Sequence, residues 1–222
     1  MNEREVCFIL CSNDEMYTEE CFRYIKHLNI PEGFTVDVLT VKDAKSMTSG
    51  YNEAMQCSTA RYKVYLHQDT FIVNRNFIQD FIDVFQKDER IGMIGMMGSP
   101  KLPSSGIMWE GRRCGAVYSW NINATIQFQL ECDALTEVEA VDGLLMITQY
   151  DIPWREDLFD KWDFYDCSQS QEFIRHGYKV VVPAMEEGPW CIHDSGMVSL
   201  QMYEGERLKF LNEYFKDRVE KS

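Results

Sequence analysis

The stretch that decides the fold is RYKVYLHQDT, residues 61–70, in which a short apolar run ends in a polar triplet. Arg61 to Leu66 has the length and residue types of a buried strand, and His67-Gln68-Asp69 follows it directly. Ligands of parallel α/β sheets bind beyond the carboxyl ends of the strands, because loops and helix N-termini converge there. Asp69 is therefore a candidate ligand for a hard cation, and His67 a candidate contact for ribose or phosphate. The alternative for Asp69 is a turn or cap residue, which strand ends often carry.

The segments around this strand alternate between strand and helix patterns. Further strands are predicted at Glu5–Cys11, Phe34–Val41 and Ile91–Met97, and helices at Glu15–Leu28, Ser46–Cys57 and Asn74–Gln86. The resulting order, βαβαβαβ, is typical of an α/β domain with a parallel sheet. We expect one α/β domain with a mixed, mostly parallel central sheet flanked by helices.

The second half of the chain is less regular. Gly98 to Arg113 is rich in Gly, Pro and Ser, which predicts a mobile functional loop or, alternatively, a domain boundary. Arg112 and Arg113 in this loop could offset phosphate charge. The remaining patterns predict strands at Cys114–Tyr118, Thr125–Leu130, Val138–Thr148 and Tyr178–Val182, a helix at Cys167–His176, and a docked final helix within Val198–Val219.

The composition excludes several classes of partner. The chain has 222 residues, a formal net charge of −14 and no apolar run long enough to span a bilayer. Nucleic acid and anionic membranes select basic patches, so both are disfavoured, and a phosphorylated ligand would need a divalent cation to offset its charge. The acidic N-terminus lacks a secretory signal, and the eight scattered cysteines lack the paired spacing of a zinc cluster. We therefore expect a cytoplasmic protein with reduced thiols.

Two other strands also end in polar residues. Ser12-Asn13-Asp14 follows the first strand, and Lys42-Asp43 follows the second. Because the exits of neighbouring strands can converge on one ligand, these residues are candidate contacts beside His67-Gln68-Asp69. Gly50 and Asn52, on the helix before the third strand, have either a ligand role or a role in close packing of that helix on the sheet.

The order of these segments resembles the family 2 glycosyltransferases with the GT-A fold, in the branch that carries His-Gln-Asp in place of the usual Asp-x-Asp motif. The resemblance covers most of residues 5–195. It implies that Asp69 is a metal ligand. Family members have an acidic pair before a helix that ends in Gly-Tyr and a strand, and Tyr165-Asp166 stands in that position here. Only Asp166 matches an acid of the pair, so the resemblance implies that Asp166 is the catalytic base.

Two further segments extend the resemblance. His193, in Pro189-Trp190-Cys191-Ile192-His193-Asp194, stands where some GT-A enzymes place a histidine ligand to the metal. Asp142-Gly143 interrupts the apolar segment Val138–Thr148, and the resemblance places it near donor sugar and acceptor. Structural alternatives remain for both, namely a packed histidine and a backbone hydrogen bond. Glu156 and Asp157 are rivals for the base, or form a charged loop with Arg155.

The resemblance implies a metal-dependent, inverting, hexosyltransferase-like enzyme of bacterial glycan or polysaccharide synthesis. Its donor would be a nucleotide-diphosphate sugar, with a UDP-sugar as the first expectation. Its cofactor would be Mn²⁺ or Mg²⁺, and its acceptor would be a glycan or another hydroxyl compound. Residues 5–97 would form the nucleotide-binding half, 98–195 the acceptor and catalytic half, and 196–222 the C-terminal helix. The implied nucleotide contacts are Ser12, Asn13 and Asp43 for base and ribose, and Asn52, His67 and Gln68 nearer the diphosphate.

Two other functions fit part of the pattern. A non-catalytic nucleotide-sugar sensor would keep the same metal and nucleotide residues. A nucleotidyltransferase would be expected to carry a Gly-rich, basic loop after the first strand, and Cys11-Ser12-Asn13-Asp14 has neither feature. The sequence leaves open whether the protein forms a homo-oligomer.

Overall fold

A computed structural model describes residues 1–128, 135–196 and 200–216. Within these residues the chain forms two mixed β-sheets and five α-helices. The large sheet has seven strands in the order β2 (Thr35–Lys42), β1 (Asn2–Ser12), β3 (Ala60–Leu66), β11 (Leu145–Thr148), β5 (Ile91–Gly95), β12 (Lys179–Pro183) and β9 (Leu135–Glu137). All of these strands except β11 and β9 run in one direction, which confirms the mostly parallel sheet.

The smaller sheet has the order β10 (Ala140–Val141), β6 (Met97–Ser99), β7 (Cys114–Ser119), β13 (Cys191–His193) and β4 (Thr70–Ile72), and β8 (Ala124–Phe128) pairs with β7. Strands β6 and β7 pair in antiparallel orientation, and so do β7 and β8. In the pairing of β13 with β4, His193 lies opposite Thr70. That register brings the end of β13 beside the residues that follow β3.

The helices are α1 (Glu15–Lys26), α2 (Met47–Cys57), α3 (Phe77–Lys87), α4 (Tyr165–Arg175) and α5 (Tyr203–Tyr214), with a 3₁₀ turn at Met108–Glu110. Helix α1 begins at Asp14, whose carboxylate accepts the backbone N–H groups of Met16 and Tyr17. Helix α2 begins at Ser46, which forms a capping box with Ser49. These caps hold both helix N-termini at the carboxyl ends of β1 and β2.

Two short connections between the sheets lie side by side. Residues 67–69 join β3 to β4, and residues 142–144 join β10 to β11. The backbone N–H of His67 donates to the carbonyl of Leu144 over 3.0 Å, and the N–H of Asp142 donates to the carbonyl of Met97 over 2.9 Å. The predicted acidic residues of these connections therefore face the same region, where the sheets meet.

Apolar side chains fill three cores. One lies between the large sheet and helices α1 and α3, and a second between the opposite face and helices α2 and α4. The third joins α5 to the loop after β6 and to the segment before α4, with Phe210 and Phe215 essentially unexposed. The prediction that the final helix docks on the domain is confirmed for residues 203–214.

The structure corrects several predicted elements of the second half. Ile91–Met97 is two strands, β5 and β6, because the chain changes sheets at Met96, after Gly95 has packed closely against Val141. Val138–Thr148 is also two strands, separated at Asp142-Gly143. The predicted loop Gly98–Arg113 starts within β6 and contains the 3₁₀ turn. Parts of the predicted strand Thr125–Leu130 and of the predicted helix Val198–Val219 lie outside the described residues.

Candidate active site

His67, Asp69 and His193 converge at the junction of the two sheets, although His193 is far from the other two in sequence. Nε2 of His193 lies 3.5 Å from Oδ1 of Asp69, and Nδ1 of His67 lies 3.9 Å from the same oxygen. The two imidazole nitrogens are 3.5 Å apart. Ligands bonded to one ion at roughly 2.1 Å are separated by about 3.0 to 3.5 Å. The three atoms are therefore close enough together to hold one metal ion.

The chemistry of this set fits a cation. Oδ1 of Asp69 is buried and has no hydrogen-bond partner among the described residues, which is costly for a carboxylate oxygen unless an ion completes it. Burial works against ionisation of Asp69, but the adjacent imidazoles of His193 and His67 hold the pKa of Asp69 below its ordinary value. Burial, and then His193, lower the pKa of His67, so this ring is neutral near pH 7. A neutral imidazole has a lone pair to offer a metal.

Tyr165 fixes the orientation of His67. Its hydroxyl lies 2.5 Å from Nε2 of His67, and its side chain is only 4% exposed. If the hydroxyl accepts the proton of Nε2, the lone pair of His67 is placed on Nδ1, which faces Asp69 and His193. The phenol packs on Gly143, where a Cβ atom would meet the Tyr165 oxygen at 2.0 Å. Glycine is therefore required at this position for Tyr165 to reach the histidine.

Asp166, the next residue, presents its carboxylate on the other side of the junction. Its Oδ2 accepts the N–H of Gly143 over 2.9 Å, and its Oδ1 accepts the N–H of Cys167 over 2.7 Å. Burial raises the pKa of Asp166 to about 7, and the negative charge of Asp142 acts in the same direction. The two backbone N–H donors oppose this shift without cancelling it. A carboxylate with this pKa can take up a proton near neutral pH.

The backbone before Asp166 is unusual. Phe164 precedes helix α4 with φ of 58°, in the left-handed region that a non-glycine residue enters at a cost of about 1–2 kcal/mol. Its ring packs against Tyr203 and Phe210 of α5, with centroid distances of 5.0 and 5.4 Å. These aromatic contacts hold Phe164 in place, and thereby hold the first turn of α4, which carries Tyr165 and Asp166.

Two cavities meet at His67 and Trp162, which line both. The strand-exit cavity has a volume of about 440 Å³. Its lining consists of Cys11, Ser12, Asn13, Asp43, Ala44, Met47, His67, Gln68, Asp69 and Trp162. The apolar cavity has a volume of about 580 Å³ and contains Asp142, Gly143, Asp166 and His193 among mainly apolar side chains. The metal-ligand set and Asp166 thus open into adjoining spaces.

Most of the predicted nucleotide contacts line the strand-exit cavity, namely Ser12, Asn13, Asp43, His67 and Gln68. The amide of Gln68 also joins two strand exits, since its Oε1 accepts the N–H groups of Asn13 and Asp14, each over 3.0 Å. These contacts bring the ends of β1 and β3 together. The arrangement matches the expectation that the exits of neighbouring strands converge on one space.

The structure places Asn52 elsewhere. This residue is buried, and its amide donates to the carbonyl of Trp154 over 2.9 Å and accepts the N–H of Trp154 over 2.8 Å. Both polar atoms of the amide are engaged with Trp154, and Asn52 lines neither of the two cavities. Gly50 has the packing role, because a Cβ atom there would lie 2.5 Å from Sγ of Cys11.

The rival bases and the loop arginines also lie outside the cavities. Arg155 forms hydrogen bonds of 2.8 and 2.9 Å to the two carboxylate oxygens of Asp157, so this segment is the charged loop that the sequence offered as an alternative. Glu156 is exposed and lines neither cavity. The loop after β6 contacts the C-terminal helix, where Arg207 donates to the carbonyl of Ser105 over 2.8 Å. Arg112 and Arg113 do not line the two cavities among the residues described.

Sequence reasoning missed the parts played by Trp162, Asp163 and the phenol of Tyr165. All three lie in the segment Lys161-Trp162-Asp163-Phe164-Tyr165-Asp166, which combines aromatic and acidic residues directly before a helix. This combination of residues could have indicated a ligand site, because aromatic side chains beside carboxylates are common in such sites. No disulfide bond joins any of the seven cysteines that the structure describes.

A family model described as a glycosyltransferase-like family matches residues 7–214. The chain belongs to this family. A search of curated proteins finds no significant match to this glycosyltransferase-like chain. Among the described residues, no helix combines the length and apolarity needed to cross a membrane.

Solved structures similar to this glycosyltransferase-like chain are GT-A glycosyltransferases. The mannosyltransferase PcManGT from Pyrobaculum calidifontis, in complex with GDP-Man and Mn²⁺, has a TM-score of 0.59 at 11% identity, covering 98% of this chain and 64% of its own. TarS from S. aureus has a TM-score of 0.58 at 12% identity, covering 94% of this chain and 39% of its own. A Drosophila beta-1,4-galactosyltransferase 7, in complex with manganese, UDP-Gal and xylobiose, has a TM-score of 0.52 at 13% identity, covering 92% and 79%. The likeness shows that the fold is GT-A, and the chain spans less than two thirds of the first two proteins.

Proposed function

We propose that this protein is a metal-dependent, inverting glycosyltransferase that moves a sugar from a nucleoside-diphosphate donor to an acceptor hydroxyl. The observation that carries the proposal is the set of His67, Asp69 and His193, with its orphaned buried oxygen, at the meeting point of two cavities. One cavity offers polar strand exits for a nucleotide, and the other contains Asp166 as a base. Residues 5–97 would be the nucleotide half and residues 98–195 the acceptor and catalytic half.

The charges around the strand-exit cavity support the need for a cation. No lysine or arginine is among the described residues that line it, whereas Asp43 and Asp69 both do. A diphosphate carries at least two negative charges, and the protein itself has a net charge of −14. Because the described lining residues include neither arginine nor lysine to balance the diphosphate, we assign that role to a divalent ion held by Asp69, His193 and His67.

The donor set bears on which ion binds. Mn²⁺ and Mg²⁺ both accept carboxylate oxygen, but imidazole nitrogen suits first-row transition ions better than Mg²⁺. We therefore rank Mn²⁺ above Mg²⁺. The mannosyltransferase and the galactosyltransferase with similar folds were both solved with manganese, which agrees with this order.

In the proposed reaction, Asp166 takes a proton from the acceptor hydroxyl as its oxygen attacks the anomeric carbon of the donor. The bond between that carbon and the nucleoside diphosphate breaks, and the configuration inverts. Gly143 and Cys167 hold the carboxylate of Asp166 in place through their N–H groups. A positioned base of this kind contributes about 10² to 10⁴-fold to the rate. When bound, the divalent ion would supply positive charge for the departing diphosphate.

The proposal extends to the donor and to the setting of the reaction. Ser12, Asn13 and Asp43 would contact the base and ribose, and Gln68 would hold the two strand exits together around them. Similar folds have been solved with UDP-GlcNAc, UDP-Gal and GDP-Man. We propose a UDP-sugar as the first donor to test, with the reaction serving bacterial glycan or polysaccharide synthesis.

The first test is calorimetry and thermal shift with UDP and GDP, in the presence and absence of Mn²⁺. We expect the wild type to bind one nucleotide only with Mn²⁺, and Asp69→Ala to lose that binding by about 100-fold or more. Asp83→Ala removes an exposed carboxylate of α3 that lines neither cavity, and should bind like the wild type. Metal-independent nucleotide binding, or equal binding by Asp69→Ala, would remove the proposed role of the cluster.

A further inference from the structure

We infer that the acceptor is an uncharged glycoside that presents an apolar ring face, and that phosphorylated or carboxylated acceptors are excluded. This inference rests on the proposed function and concerns the apolar cavity alone. It depends on the residues that line this cavity, on their charges, and on two indole rings at its surface.

The first step is the apolar character of the lining. Side chains without strong hydrogen-bonding groups form much of the cavity wall. They come from the small sheet, from the loop after β6 and from the connection between β10 and β11. They are Met97, Ile107, Met108, Val117, Ile126 and Leu144. Such walls stabilise an apolar surface by about 25 cal/mol for each Å² removed from water. They offer nothing to the hydration shell of a charged group, which would be lost on entry.

The second step is the sign of the charges. Asp142, Asp163 and Asp166 all line the apolar cavity, and no lysine or arginine is found among its described lining residues. Burial and then Glu206 raise the pKa of Asp163, as expected for a carboxyl group in an acidic, poorly hydrated setting. Arg113 contacts the ring of Trp109, 5.9 Å from its centroid, but does not line the cavity. His67 and His193 also line this cavity, but the proposed function assigns both to the metal and its diphosphate ligand. Near Asp166, an anionic acceptor would therefore meet carboxylates without a lysine or arginine among the described lining residues to balance it.

The third step is the pair of aromatic rings. Trp109 and Trp162 line the cavity and remain 42% and 49% exposed, so each indole has surface available for a ligand. The C–H bonds on one face of a pyranose ring form an apolar surface that packs on such a ring. Exposed tryptophan is otherwise uncommon, because leaving a large apolar ring in water is unfavourable. A neutral sugar ring satisfies the indoles and the carboxylates together, because its hydroxyl groups can donate to Asp142 and Asp163.

The test compares acceptors that differ only in charge. Phenyl β-D-glucoside, phenyl β-D-galactoside and phenyl β-D-mannoside would each be titrated beside the corresponding uronide, with UDP and Mn²⁺ present. Binding would be followed by intrinsic tryptophan fluorescence, so that the result does not depend on which hydroxyl reacts. We expect at least one neutral glycoside to bind about tenfold or more tightly than its uronide. Equal or tighter binding of the uronides, or no binding of any neutral glycoside, would overturn the inference.

Two variants separate the aromatic and the electrostatic parts. Trp109→Ala should weaken binding of the preferred neutral glycoside by about fivefold to tenfold, consistent with loss of a stacked ring. Trp120→Ala is the matched control, because Trp120 is 60% exposed but does not line the cavity. Asp163→Asn should reduce the difference in affinity between the neutral glycoside and its uronide. Equal effects of the two tryptophan variants, or an unchanged difference in Asp163→Asn, would count against the inference.

Failure of this inference is distinguishable from failure of the proposed function. Slow hydrolysis of the donor by water needs the nucleotide site, the metal-ligand set and the base, but no acceptor. If donor hydrolysis persists while charged acceptors bind best, the acceptor class is wrong and the transferase site stands. If no donor binds and none is hydrolysed, the proposed function itself fails.

Discussion

The strand-exit cavity and the apolar cavity share His67 and Trp162, yet they are built in opposite ways. Most of the strand-exit cavity comes from residues that directly follow β1, β2 and β3, and six of its ten described lining residues are polar. The apolar cavity comes from segments spread between residues 67 and 203, and its polar groups are largely carboxylates and histidines. A polar cavity at strand exits suits a nucleotide, whereas a poorly hydrated one suits proton transfer.

The contrast is clearest in one carboxylate from each cavity. The imidazoles of His193 and His67 outweigh the effect of burial on Asp69 and hold its pKa below the ordinary value. For Asp166, burial and then the charge of Asp142 act in the opposite direction and raise its pKa to about 7. Identical functional groups thus have opposite pKa shifts, which suit the two proposed tasks: Asp69 would remain a charged ligand, and Asp166 would exchange a proton.

The largest expected effect is on the rate of sugar transfer, and it distinguishes the role of Asp166 from that of Asp69. Asp166→Asn should lower sugar transfer by about 10² to 10⁴-fold, because the base is lost, and leave Mn²⁺-dependent nucleotide binding unchanged. Transfer would be measured by product formation, and binding by calorimetry. Glu156→Gln and Asp157→Asn, which alter the rival bases, should transfer at the wild-type rate. A fully active Asp166→Asn would remove Asp166 as the base, whereas a wild type that binds nucleotide but transfers no sugar would be a non-catalytic sensor.

A smaller effect, on the affinity for Mn²⁺, is expected when the contact between Tyr165 and His67 is removed. Tyr165→Phe removes the hydroxyl that lies 2.5 Å from Nε2 of His67, so the ring no longer favours one tautomer. We expect the affinity for Mn²⁺ alone, measured by calorimetry, to fall about tenfold. Tyr203→Phe also removes a hydroxyl from the lining of the apolar cavity and serves as the control. If both variants bind Mn²⁺ like the wild type, Tyr165 does not position His67.

The pH dependence of sugar transfer should show whether the charge of Asp142 acts on Asp166. Because Asp166 must be ionised to act as a base, transfer should fall about tenfold for each pH unit below about 7. Asp142→Asn removes a cause of the raised pKa, so the acid limb of kcat/KM should move to lower pH. Leu144→Val, a conservative change in the same connection, should leave the limb in place. An acid limb that does not move would exclude Asp142 as an electrostatic neighbour of the base.

The smallest effect concerns stability. The pKa of Asp166 rises from 3.8 to about 7 on folding, so the folded state binds the proton more tightly and stability falls as pH rises from about 4 to 7. Asp166→Asn removes this penalty but also an acceptor for one N–H group. We expect a net gain of about 1–3 kcal/mol at pH 8 and none at pH 4, measured by urea unfolding. A gain of the same size at both pH values would contradict this account.

The sequence predicts the strand-exit cavity better than the apolar one. Helices and strands in the first half have clear periodicity, and polar residues after consecutive strands meet because parallel strands end at one edge. The resemblance also selected Asp69, Asp166 and His193, whose side chains lie in the two adjoining cavities. Asn52 shows the limit of this reasoning, since its amide bonds to the backbone of Trp154, a partner far away in sequence.

The apolar cavity was harder to predict because short strands determine it. Strands β4 and β13 have three residues each, too few to show a period, yet their pairing brings His193 to Asp69. The contact between Tyr165 and His67 depends on the missing side chain of Gly143 in a third segment. No local pattern encodes such a contact, because it is specified only by the meeting of three segments.

The left-handed backbone of Phe164 has a consequence for the order in which the site is completed during synthesis. The ends of β1, β2 and β3 can assemble once about the first third of the chain has been made, since domains begin to fold from the N-terminus. Phe164, by contrast, is held by Tyr203 and Phe210 of α5, which emerge from the ribosome much later. Under the proposed function, Asp166 would therefore reach its final position only after α5 has docked, so a nascent chain would acquire the strand-exit cavity before its proposed base is in place.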